Sequence, residues 1–201
     1  NSTTSAGGSS GSGGAAPGLP YQPAGCGFES APRREYLEWS VDKPDTLPSP
    51  NIRWVRLGLG GNVAVGAPGK ADPSTSIGMS WQTDQGTTAS EVRWGSSPDP
   101  ASWPDANTAH GVSWLTPQGL LNPNGDAQMH EVHVCGLTPG TTYYYRVGGG
   151  PKDGGAWSEV YSFTTAPASG DSPVTIAFNG DARGQTGNAW RLFQRKVLPM
   201  G

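Results

Sequence analysis

The chain has 201 residues and a net charge of −3, with Lys and Arg scattered along it. That excludes a nucleic-acid surface, which needs a basic stripe to neutralise phosphates, and no apolar run approaches the ~20 residues that span a bilayer as a helix. The 31 Gly and 19 Pro are unevenly spread: residues 1–25 are uncharged and rich in Gly, Ser, Ala, Thr and Pro, whereas all eight Trp lie between Trp39 and Trp190.

The first 35 residues read as a disordered tether, because they hold too little apolar surface to offset the entropy of ordering. About 25 residues of this composition reach roughly 25–30 Å as a random coil. Such a reach suits a secreted or extracytoplasmic protein held at a surface through an upstream anchor. Ala24-Gly25-Cys26 has the form of a lipoprotein cleavage box, but the apolar segment that a signal peptide needs does not precede it. Of the two cysteines, Cys26 and Cys135, two readings stand. In an oxidising compartment they form one disulfide that pins the tether's end to the body. Otherwise they are separate thiols, with Cys135 a small buried hydrophobe.

Residues 36–166 show the two-residue alternation of half-buried strands between turn clusters. Ile52, Trp54, Leu57 and Leu59 mark a first strand in which the alternation slips once. Ile77, Met79 and Trp81 alternate cleanly with polar or small residues, and Val92 and Trp94 mark the next strand. Residues 98–127 are rich in Pro, Asn and Gly and yield no regular element. Val132 and Val134 mark another strand, and Val160–Thr165 forms a last short one. About seven short strands without an intervening amphipathic helix predict a mainly β fold, an antiparallel sandwich of the fibronectin-III/immunoglobulin-like kind. The sharpest signal is Leu137-Thr138-Pro139-Gly140-Thr141-Thr142-Tyr143. Pro139-Gly140 supplies a turn, and Tyr143 is placed to return its hydroxyl to the backbone of that turn. Tyr145 and Val147 continue the inward face.

Past Ala166 the character changes. Residues 167–172 form a polar hinge. Val174–Phe178 is nearly continuous apolar, as in a strand buried on both faces of a parallel sheet. Gly180–Thr186 is a turn, and Trp190, Phe193 and Val197 have helical spacing over 188–198. Residues 173–201 are thus expected to open an α/β domain with one strand and one helix. Asp181 stands just beyond the carboxyl end of that strand, where open α/β sheets place their ligands. Its carboxylate there is either a hard oxygen ligand for a metal ion or a cap for the coming helix.

The ordered set of segments resembles the purple acid phosphatase family over about residues 50–188. The similar segments are Met79-Ser80-Trp81-Gln82-Thr83, Val92-Arg93-Trp94-Gly95, His130-Glu131-Val132, Leu137–Gly148, Trp157-Ser158, Phe163–Pro167 and finally Gly180-Asp181. The resemblance implies a fibronectin-III-like N-terminal domain joined to a metallophosphoesterase domain, and hydrolysis of phosphate-ester substrates by a dinuclear centre of Fe with Fe, Zn or Mn. Asp181 then corresponds to the first metal-ligating aspartate. The turn departs from the family's Gly-Asp-x-Gly-Gln-Thr by one inserted residue, Arg183, which either pairs with a phosphate oxygen or is an exposed turn residue. The family's later ligands have no counterpart up to Gly201, so one carboxylate is present and the chain by itself is expected to be inactive.

The remaining candidates are weak. His130 and His133, three apart on a strand, face opposite sides and do not share a metal; outward-facing or hydrogen-bonded strand histidines are the better reading. Gly58-Leu59-Gly60-Gly61 opens no helix, so it is no dinucleotide site. The alternative function is a cell-surface binding or spacer module without catalysis. In that reading Trp103 and Trp114 stack sugars; otherwise they anchor their loop.

Overall fold

The structure is a computed structural model, and it describes residues 21–29, 37–41 (backbone only), 51–59, 72–116, 127–149 and 155–168. The chain divides into two units, 1–168 and 169–201, and every described residue belongs to the first. The strand, turn and helix expected over 173–201 lie outside the described residues.

The described fold is almost wholly β. Strands β1 (Leu37–Val41), β2 (Arg53–Leu59), β3 (Ser76–Asp84), β6 (Val112–Thr116) and β7 (Ala127–Cys135) form one antiparallel sheet in the order β1-β6-β7-β3-β2. Strands β4 (Glu91–Gly95), β5 (Thr108–His110), β8 (Thr142–Gly149) and β10 (Tyr161–Thr164) form a second in the order β10-β8-β4-β5, and β9 (Ala156–Trp157) also pairs with β8. The gap between β9 and β10 is closed by Ser158, whose hydroxyl accepts from Val147 N–H at 3.0 Å while its own N–H donates to Val147 C=O at 2.9 Å.

Alternation decides what each sheet buries. The inward residues Met79, Trp81, Val132 and Val134 of the first sheet meet Val92, Tyr145, Val147 and Phe163 of the second, with Leu137, in one buried cluster. Each such side chain contributes about 1.5–3 kcal/mol by leaving water. The mainly β antiparallel architecture expected from the sequence is therefore present, and the strands marked by Ile77–Trp81, Val92–Trp94, Val132–Val134 and Tyr143–Val147 are in place.

The turn before β8 closes as its residues require. Gly140 sits at φ 60°, a conformation costly for a side-chain-bearing residue, and Thr138 N–H donates to the Tyr143 hydroxyl at 3.0 Å. Tyr143 is half-buried rather than enclosed, stacking on Phe163 with centroids 5.7 Å apart.

Two stretches differ from the sequence reading. Residues 98–116 are structured: Asp99 caps a 3-10 turn (Pro100–Ser102), and β5 and β6 follow. The pattern hid β6 because its inward Ser113 is polar. It is buried only because Gln128 Nε2 donates to its hydroxyl at 3.0 Å across the β6–β7 pair. Residues 21–29, drawn as part of the tether, are fastened to the body: Tyr21 donates its hydroxyl to His110 C=O, and Cys26 is fully buried.

Candidate functional site

Asp181 and Arg183, the metal and substrate candidates of the sequence, lie outside the described residues. Among the described residues no group of three or more His, Cys, Asp or Glu side chains could hold a metal ion. The donor set there does not fit a dinuclear centre.

The histidines separate as the spacing requires. His130 faces inward and is fully buried, stacked on Trp81 with centroids 4.9 Å apart and planes 5° from parallel. Its Nε2 lies 2.7 Å from Thr83 Oγ1 and its Nδ1 2.9 Å from Ser90 Oγ, so both ring nitrogens are engaged. Each hydroxyl also has a backbone carbonyl to donate to, Val112 C=O at 3.2 Å from Ser90 Oγ and Asp84 C=O at 3.2 Å from Thr83 Oγ1, so either hydroxyl can accept from the ring while the other donates to it. The neutral ring is satisfied in either tautomer. Burial pushes the His130 imidazole down to about 3. A ring so sealed and so hard to protonate serves packing, not proton transfer. His133 faces the other way and pairs with Glu131 Oε1 at 2.9 Å.

Cys26 and Cys135 are joined by a disulfide, with Cα atoms 5.3 Å apart across 109 residues. It fastens 21–29 against the Cys135 end of β7, where Phe28 meets the His133 ring edge-on at 4.9 Å. Trp103 is a loop anchor: it is buried, donates Nε1–H to Ser97 C=O at 2.7 Å, and covers Gly95, where any Cβ would collide with the indole.

The outward faces of the two sheets carry different chemistry. On the second, Arg93 and Arg146 are directly opposed across β4 and β8. Arg146 lies over the Trp157 ring at 4.4 Å, and Arg93 is neutralised by Glu91 at 3.2 Å. Burial, then the nearby Arg93 charge, lowers the Arg146 pKa.

On the first sheet a groove of about 330 Å³ is lined by Trp54, Arg56, Ser80, Gln82, Trp114, Thr116 and Met129. The outward register runs Trp114–Met129–Gln82–Arg53 across β6, β7, β3 and β2. Trp54 reaches the groove through a bulge. Arg53 pairs with Gln82 and Arg56 with Ser80, so two residues of β2 oppose one of β3. Val55 packs against the core, while Trp54, at φ 56°, stays 65 % exposed. Of the two tryptophans weighed for sugar stacking, the structure brings only Trp114 to a groove. Its partner Trp54 was missed, although the slipped alternation after Ile52 is the mark of that bulge.

A family model described as "Purple acid Phosphatase, N-terminal domain" matches residues 65–165, half of the chain. No curated protein matches it.

Proposed function

We propose, on the premise that this chain belongs to the purple acid phosphatase N-terminal domain family, that it is the N-terminal part of a secreted, metal-dependent phosphoesterase. The described domain is then a fibronectin-III-type sandwich that carries no catalysis of its own. The observation behind this reading is the order of blocks: the family match ends at residue 165, and in the sequence an apolar run over 174–178 closing on Gly180-Asp181 follows.

In this reading Asp181 supplies one hard carboxylate to a dinuclear centre of Fe with Fe, Zn or Mn, and Arg183 is available to a phosphate oxygen of the ester. The sandwich supports the proposal by what its histidines do. His130 is engaged at both nitrogens and His133 is held by Glu131, so the two histidines of β7 serve structure.

The test uses two proteins. The 201-residue chain should hydrolyse an aryl phosphate no faster than a blank, and should bind Fe, Mn or Zn no better than an exposed carboxylate. Tight stoichiometric metal uptake or turnover by this chain would show the site to be elsewhere. In a chain extended through the remaining ligands, Asp181→Ala should abolish activity, and full activity in that variant would remove the assignment. Arg183→Ala should weaken phosphate binding in the same protein.

A further inference from the structure

The groove on the first sheet combines three features that packing does not explain. Among the described residues Trp54 is the one non-glycine residue at positive φ, a conformation that costs a bulky side chain energy and concentrates at functional positions. The bulge that holds it so turns a large indole outward, where 65 % of it remains exposed. Beside it Arg56 lies over the indole at 5.5 Å and makes no ion pair among the described residues, and the described residues lining the groove include no carboxylate.

We propose that this face binds an acidic oligosaccharide, with pyranose rings stacked on Trp54 and Trp114 and an acidic substituent on Arg56. The inference is independent of the phosphoesterase reading. Indole faces accept the C–H faces of sugar rings as they accept other flat, weakly polar surfaces. Ser80 and Gln82, on β3 between them, and Thr116, beside Trp114 on β6, offer amide and hydroxyl groups to the sugar hydroxyls. The Arg56 guanidinium, with no ion pair among the described residues, sets the sign of the partner.

Spacing separates this ligand from a nucleotide or a nucleic-acid strand. Trp54 and Trp114 stand on β2 and β6, three strand spacings apart, or about 14 Å. They cannot clamp one base, but a chain of sugar rings reaches from one to the other. A single strand of nucleic acid needs a basic track for its repeated phosphates, and among the described residues the groove has one cation.

The folded 201-residue chain is titrated with hexagalacturonate and with cellohexaose, followed by tryptophan fluorescence and saturation-transfer NMR. Saturable binding of hexagalacturonate is expected, with cellohexaose weaker by about tenfold, the worth of one charge-assisted contact. Trp54→Ala and Trp114→Ala should each weaken binding about tenfold, as loss of a stacking platform does. Trp54→Gly keeps the bulge without strain and should bind as poorly as Trp54→Ala while remaining folded. Arg56→Gln should erase the preference for the acidic chain, and Trp157→Ala, on the other sheet, should change nothing. The proposal is overturned by no saturation with either sugar, by equal affinity for both, or by undiminished binding in both tryptophan variants. It is equally overturned if sedimentation shows self-association that Trp54→Ala abolishes, for the face would then belong to a second copy.

Discussion

The two ends of strand β7 treat their outward residues in opposite ways. At the Cys135 end the chain covers its own sheet: Phe28 packs on His133, and the Cys26–Cys135 bond keeps it there. At the Ala127 end Met129 floors a groove flanked by two indoles, one of them 65 % exposed in a strained backbone conformation. Between the ends, facing inward, His130 is sealed with every polar atom engaged. A buried polar group that is fully satisfied marks a structural site. An exposed aromatic held at a conformational cost marks a surface kept for something else.

Acid should test the sealed part most severely. The folded-state pKa of His130 is lowered from 6.5 to about 3 by burial, so between those values the unfolded chain binds more protons than the folded one. Its contribution to stability is therefore complete above about pH 6.5 and lost as pH falls toward 3, by at most about 4–5 kcal/mol. Urea unfolding at pH 7 and pH 4 measures this, and a flat profile would mean that the ring is not sealed.

Next in size is the covered end. Cys26→Ser with Cys135→Ser should cost about 2–4 kcal/mol, because the bond closes a loop of 109 residues. It should also raise amide exchange over 21–29 while leaving β3 and β7 protected. Loss of protection throughout the sheet would erase the distinction between the two ends.

A smaller effect separates corner from core. Tyr143→Phe removes only the acceptor for Thr138 N–H, so about 0.5–1.5 kcal/mol should be lost in thermal unfolding. The smallest change belongs to the open end. Trp54→Gly should leave the melting temperature unchanged or raise stability by up to about 1 kcal/mol, since glycine takes positive φ without strain. A clear loss of stability would show that the indole is packing rather than presented.

Several of these features are legible in the chain itself. Ile77-Gly78-Met79-Ser80-Trp81 can bury one face only as a strand, and Pro139-Gly140 followed by Tyr143 requires the corner seen. The order of these blocks was enough to reach the family that the match over 65–165 supports. His130 and His133, an odd number of residues apart, had to part company. These are local consequences of period, turn chemistry and backbone freedom, so the sequence determines them by itself.

What only the tertiary structure decided involves partners distant in sequence. Ser113 can be buried because Gln128 reaches it from the next strand, and that hid β6 from any reading based on apolar alternation. Trp103 and Trp114 lie in the same Pro-rich stretch, yet one is pinned over Gly95 and the other opens onto a groove with Trp54 sixty positions earlier. Cys26 meets Cys135 because β7 ends where the N-terminal segment crosses. Alternation assigns a side chain to a face, but strand order decides which other residues share that face, because hydrogen-bonded neighbours in a sheet need not be neighbours in the chain.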